Sequence, residues 1–222
     1  MRTQRYFVAL LAAVAAGVFA SAFATINPAS EGLAAVQSST LDEVYLRPAV
    51  DLAGFRKVMV DPARVETFKG WRKSINQQRE PSRWITVEEE QNMTRTAATV
   101  MTEAVARAFR DRGFEIVTAP GPGVLRVSPS TPDLFVNAPD TVTPTLQAQI
   151  TQREAGDATL NMEIRDSANG TVIGFVSDRN TARQVQIFNR VTLVSNQFWF
   201  DAMFSAWARN IATELAMAHG AQ

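Results

Sequence analysis

The stretch "NMEIRDSANGTVIGFVSDR" (161–179) gathers Glu163, Arg165, Asp166 and Asp178. Carboxylates held close together can divide acid and base roles between them. A glycosidase-type pair needs two of them across a cleft at a defined separation. The same residues also read as the wet edge of a β-hairpin. Leu160, Met162 and Ile164 alternate with Asn161, Glu163 and Arg165, the period of a strand with one buried face. Asn169-Gly170 is a strong short hairpin signal. A two-residue loop there pairs Ile164 with Phe175 and Met162 with Ser177. Ile173 and Phe175 then share the Leu160/Met162/Ile164 side. Glu163 and Arg165 point outward, close enough to pair through water. Asp166 sits at the turn, where an Asp side chain bonds backbone N–H groups two residues on. Asp178 neighbours Arg179. This arrangement puts no two acids around a cleft, so no catalytic residue is assigned. A carboxylate-based hydrolase using Glu163, Asp166 or Asp178 remains the alternative.

Other chemistries find little support. His219 is the only histidine and lies near the end of the chain, where the last turn of a helix favours a cation. There is no cysteine and no Gly-x-Ser-x-Gly elbow. The usual zinc ligand sets are absent, and no calcium loop of EF-hand spacing occurs. Gly121 and Gly123 alternate with Pro120 and Pro122, which lack backbone N–H donors, and a strand pattern follows. That excludes a phosphate-cradling loop. No cofactor and no metal site is expected.

A second segment has the composition of a contact surface. "FKGWRKSINQQREPSRW" (68–84) reads as a long loop broken by Gly70 and Pro81. Lys69, Arg72, Lys73, Arg79 and Arg83 face only Glu80, with Trp71 and Trp84 at the flanks. Trp contributes apolar area and Arg planar hydrogen bonding at interfaces. Trp71, Arg72, Lys73, Arg79, Arg83 and Trp84 are therefore the candidate partner contacts. The bland reading is a solvated loop whose tryptophans pin it to the body.

These segments are carried by few elements. "RKVMVDPARVET" (56–67) starts with a strand around Val58 to Val60, ended near Pro62. Thr86 and Glu89 form a Thr-x-x-Glu capping box, and Glu88 to Glu90 suit a helix N-terminus. Met93, Ala97, Val100, Met101, Ala104 and Ala108 form one apolar stripe. Gly113 is a left-handed stop that lets Phe114 touch Phe109, as in a Schellman ending. "FEIVTA" (114–119) and "VLRVSPSTPDLFV" (124–136) read as strands, the second with a bulge or edge at Pro129 and Pro132. Residues 137–157 read as a long irregular connection. A second helix begins near Ser195, with Phe200, Met203, Phe204, Trp207, Ile211, Leu215 and Ala218 on its apolar side and Gly220 as its stop. Strand, helix, strands, hairpin, helix gives an α+β two-layer sandwich. Its sheet is mixed or mostly antiparallel, with two amphipathic helices packed on one face.

The N-terminus sets the address. Arg2 and Arg5, the uncharged run "YFVALLAAVAAGVF" (6–19) and the small residues "ASAFA" (20–24) make a tripartite secretory signal, with cleavage after Ala24, or alternatively after Ala22; a retained membrane anchor is the other reading of the apolar run. The expected organisation is a signal peptide over 1–24, a flexible leader over 25–43 and a single α+β domain over 44–220. The chain carries 22 basic and 22 acidic residues, and loss of Arg2 and Arg5 with the signal leaves the mature part slightly acidic. That balance excludes nucleic acid as an expected partner. No later run is long enough to cross a bilayer. The expected location is periplasmic or secreted.

"NAPD" (137–140), "EAGDATLNMEIRDSANGTVIGFVSDR" (154–179), "WARNIATEL" (207–215) and "GPGVLRV" (121–127) resemble the domain of unknown function 3313 family. The resemblance spans roughly residues 45 to 218. It implies a bacterial exported protein of the cell envelope with a compact α+β domain, and it implies no reaction. Many members are lipoproteins, whereas this chain has no cysteine at its signal junction. The expected function is a non-enzymatic binding or assembly module contacting another envelope protein or a cell-wall component. A purely structural domain is the third reading.

Overall fold

The computed structural model describes residues 26–136, 154–183 and 193–220. Eight strands form one mixed sheet: β1 (Ala34–Val36), β2 (Glu43–Leu46), β3 (Lys57–Val60), β4 (Arg64–Thr67), β5 (Glu115–Ile116), β6 (Val124–Val136), β7 (Glu154–Asp166) and β8 (Val172–Arg183). The order is β1-β2-β8-β7-β6-β3-β5, with β4 also on β6. Pairs from β1 to β6 along that order are antiparallel, while β3 and β4 run parallel to β6. Among the described residues three α-helices accompany the sheet: α1 (Trp71–Asn76), α2 (Val87–Asp111) and α3 (Leu193–Gly220). α2 and α3 pack on each other, and each also touches the sheet. The expected α+β sandwich is the fold. Among the described residues no helix is long and apolar enough to cross a membrane.

α2 forms where its local chemistry directs. Thr86 accepts from the Glu89 N–H, and the Glu89 carboxylate accepts from the Thr86 N–H at 2.7 Å, closing the capping box. Those bonds from Thr86 hold the Glu89 carboxyl below its ordinary range. At the other end the Phe114 N–H reaches Phe109 O and the Gly113 N–H reaches Arg110 O, with Gly113 at φ 89°. The Phe109 and Phe114 rings meet edge to face at 5.5 Å. This is a full Schellman ending. Ala97, Met101, Ala104, Val105, Ala108 and Phe109 are buried; Met93 and Val100 are half-buried.

β7 buries Ala158, Leu160, Met162 and Ile164 completely, as the alternation predicts. Its pairing with β8 corrects the expected register. Met162 lies opposite Val176 and Ile164 opposite Gly174, so Ile164–Phe175 and Met162–Ser177 are not partners. The connection spans residues 167–171 rather than Asn169-Gly170 alone. Gly170 takes φ 76°, but Asn169 keeps a negative φ and spends its side-chain oxygen on the Thr171 N–H. Ser167 is drawn to Gly121 and Val124, which lengthens the loop. A one-residue slip exchanges the faces of a strand. Val176 is therefore in the core, and Phe175 lies opposite Glu163 on the other face. Ile173 stays in the core as the extra residue where the register shifts between Ile164 and Arg165.

Two further expectations change, for the leader and for residues 68–84, and the bulge-or-edge reading of β6 resolves to the bulge. β1 falls within the expected leader over 25–43, which is instead tied to the sheet edge, with Leu33 and Leu41 buried. β6 bulges between Ser130 and Phe135 but is internal, flanked by β7 on one side and β3 and β4 on the other. Residues 68–84 are not a loop throughout, since α1 and a 3-10 turn at Pro81–Arg83 lie within them. On α3, Phe200, Met203, Phe204, Trp207, Ile211 and Leu215 are buried as expected. The signal segment 1–24, residues 137–153, and the side chains of Ala218 and His219 lie outside the described residues.

Candidate functional site

The 68–84 segment divides into an anchor and a presented edge. Gly70 adopts the left-handed conformation at φ 84° and turns the chain into α1. Trp71 and Ile75, four apart, take the inner side of this helix, with Trp71 buried and Ile75 half-buried against the core. The Trp71 Nε1–H donates to Val136 O at 2.8 Å, so the ring is sealed at both its apolar and polar ends. This corrects Trp71 as a partner contact: a side chain 1% exposed touches nothing outside the fold. Arg72 is also committed. Its Nε donates to Glu90 Oε2 at 2.9 Å, and Glu90 Oε1 accepts from Thr67 Oγ1 at 2.6 Å. The two bonds tie α1 and the end of β4 to the first turn of α2.

The remaining expected contacts stay on the surface. Asn76 clamps Ile85 in both directions, through Nδ2–H to Ile85 O and Ile85 N–H to Oδ1. Between these clamp points the chain makes an open turn. Arg79 Nη1 donates to Arg83 O, and Trp84 Nε1–H donates to Arg79 O at 3.2 Å. Gln77, Gln78, Arg79, Glu80 and Arg83 line a concavity of about 370 Å³. Trp84 is 54% exposed despite its pinned nitrogen. Phe68 and Val87 are similarly exposed, so among the described residues three of the five large exposed hydrophobic side chains fall within this short stretch. Among the described residues Lys69, Lys73 and Arg83 pair with no carboxylate. Sequence reasoning passed over Phe68 and Val87. Their positions flanking Gly70 and the Thr86 cap were the available signal.

The hairpin acids are not brought together. Arg165 pairs directly with Glu163 and also donates to Gly170 O. Asp166 accepts from the Ala168 N–H at 2.9 Å and from Asn169, as an Asp at a turn does. Asp178 is 5% exposed and sits opposite Leu160, six residues along β7 from Asp166. At about 3.3 Å per residue that separates the two by roughly 20 Å, beyond an acid–base pair. Glu163 lies on the opposite face from Asp178. Asp178 is thus the acid that the expected register misplaced. Its Oδ1 accepts from the Asp42 N–H at 3.2 Å, while Asp42 Oδ2 accepts from the Arg179 N–H at 2.9 Å. Burial, and after it the Asp42 carboxylate, push its pKa up against the bonds from the Asp42 N–H and Asn180. This exchange fastens the approach to β2 onto β8. Among the described residues no three His, Cys, Asp or Glu converge in a group that could hold a metal ion.

No curated protein matches the chain. Among solved structures it is similar to a protein from Xanthomonas campestris at 12% identity and TM-score 0.44, covering 86% of this chain and 98% of that one. It is also similar to PelC from Paraburkholderia phytofirmans, solved as a dodecamer, at 10% identity and TM-score 0.41, covering 82% and 97%. The family model for a protein of unknown function (DUF3313) matches residues 24–211, and the chain belongs to that family.

Proposed function

We propose that this is an exported envelope protein that acts by binding rather than by catalysis, through the surface formed by Phe68, Lys69, Lys73, Arg83, Trp84 and Val87. Its partner is another envelope protein or a cell-wall component. The observation that supports this most is the concentration of exposed large apolar side chains around unpaired cations in 68–87. Scattered apolar residues are ordinary on a surface, whereas a cluster rimmed by polar groups marks an interaction site. Aromatic and Arg side chains supply most interface energy where they can be desolvated together. The tripartite signal over 1–24 supports the location, with the mature chain starting at Thr25.

A photo-reactive amino acid placed at position 84 or 73 in living cells tests the surface, with exposed Arg209 on α3 as the control position. The expected result is a discrete adduct from 84 and 73 and none from 209. Equal labelling at all three positions, or none at any, overturns the proposal. Mass spectrometry of the exported chain checks the start at Thr25.

A further inference from the structure

We infer that the turn 77–84 is a saccharide site, and that its ligand is a glycan carrying carboxylate groups. This rests on the binding reading of the same surface and names its ligand class. Trp84 carries the inference together with the concavity, two of whose lining residues it adjoins: it follows Arg83 in the chain and bonds Arg79 O. Its only polar side-chain atom is spent inward on Arg79 O, at 3.2 Å. Its indole is 54% exposed all the same. The 3-10 turn at Pro81–Arg83 fixes the backbone just before it, and the Asn76 clamp on Ile85 fixes the backbone just after it. The result is an aromatic plane presented in advance, which lowers the ordering cost of binding.

The lining selects among ligands that stack on an aromatic face. Drug-like and lipid ligands favour mostly apolar walls. Here the walls, among the described residues, are Gln77, Gln78, Arg79, Glu80 and Arg83, none of them apolar. The Gln amides offer both donors and acceptors, as vicinal sugar hydroxyls require. Arg83 offers a fork suited to a carboxylate. Glu80 accepts from hydroxyls and opposes a dense polyanion, and the chain as a whole carries no net positive charge. Nucleic acid, which binds by neutralising many phosphates, is therefore a poor match. A bound sugar would use the exposed indole for its C–H face, Gln77, Gln78 and Glu80 for its hydroxyls, and Arg83 for a sparse carboxylate. An open site of this kind binds one ligand unit weakly, on the order of 0.1–1 mM, and gains from repetition along a polymer.

The test uses the mature chain and amide NMR shifts read at residues 77–84. The probes are a peptidoglycan disaccharide-tetrapeptide, an alginate hexasaccharide, neutral chitohexaose and polyglutamate. The expected result is saturable shifts at 77–84 with one or both acidic saccharides, and the one that binds identifies the source. Trp84→Ala should weaken that binding at least tenfold. Arg83→Gln should weaken it severalfold while leaving any chitohexaose binding unchanged. Polyglutamate matching the saccharides, chitohexaose matching the acidic ones, or Trp84→Ala binding as wild type overturns the inference. If saccharides leave 77–84 unmoved while a cross-linker at position 84 captures a protein, the saccharide falls and the binding surface stands. If both fail, both fall.

Discussion

The 160–179 hairpin and the 68–87 segment look alike in sequence, each a knot of charge beside hydrophobic residues. In the fold they part. The hairpin uses its charges within the fold: Glu163 with Arg165, Asp166 with the turn amides, Asp178 with the Asp42 N–H, Arg179 with Asp157. The 68–87 segment uses Trp71 and Arg72 internally and leaves Phe68, Lys69, Lys73, Arg83, Trp84 and Val87 facing water. A cluster of charge is therefore uninformative until each group's partner is known. What separates a structural cluster from a candidate site is the residue of groups left over.

The comparison breaks first at Trp71. Trp71→Ala removes a fully buried indole and strands the Val136 carbonyl, so the expected loss is about 3–5 kcal/mol. Chemical denaturation measures it. A loss below about 1 kcal/mol would mean that the segment is not anchored, and the division into anchor and edge would fail. Thr86→Ala is next. It opens the capping box at the start of α2 and should cost about 1 kcal/mol. The Glu89 carboxyl is held below its ordinary range, so its contribution is present at neutral pH and is lost as pH falls through its lowered folded value. Thr86→Ala should therefore flatten the acid limb of a melting-temperature profile as well as lower it.

How much of this was legible depended on how far the deciding partner lay along the chain. The ends of α2 were readable because Thr86, Glu89, Phe109, Gly113 and Phe114 complete their bonds within a few residues. The hairpin was readable as a hairpin, but its register was not. Ser167 answers to Gly121, 46 residues away, and that bond enlarges the loop. One displaced residue carried Phe175 out of the core and Val176 into it, and it turned Asp178 from a surface acid into a buried one. Trp71 and Trp84 are indistinguishable in composition. Both indole nitrogens find a carbonyl, but Trp71 finds that of Val136, 65 residues away, with its ring in the core, whereas Trp84 bonds the nearby Arg79 and stays exposed. The contact surface was thus legible as a composition, and its members were decided by long-range pairing.

On the hairpin side, Asp178→Asn sharpens the contrast with a smaller effect. Burial raises the Asp178 pKa in the folded state. A raised folded value means the fold binds the proton better than the unfolded chain does. Stability from this group is therefore full below the ordinary aspartate value of about 3.9 and declines as pH rises through the folded value. Asparagine keeps an acceptor for the Asp42 N–H and carries no charge, provided the Asn180 amide flips to offer its oxygen. Asp178→Asn should melt slightly higher than wild type at pH 7, and the advantage should shrink as pH drops toward 4. An unchanged difference across that range would show that Asp178 is neither buried nor costly when ionised.

Trp84→Ala should have the smallest effect on stability and the most informative one. An exposed side chain with a single hydrogen bond to Arg79 O contributes within about 0.5 kcal/mol, against several for Trp71. The two tryptophans stand 13 positions apart in one segment, so the ratio of their effects measures how sharply the fold divides anchor from edge. If Trp84→Ala destabilises as much as Trp71→Ala, Trp84 is a second anchor and its exposed face is incidental. If stability is unchanged while the photo-adducts at position 73 disappear in the Trp84→Ala background, the ring is kept out of the core at no structural gain. An exposed indole that contributes nothing to folding and is needed for contact has its explanation outside the chain.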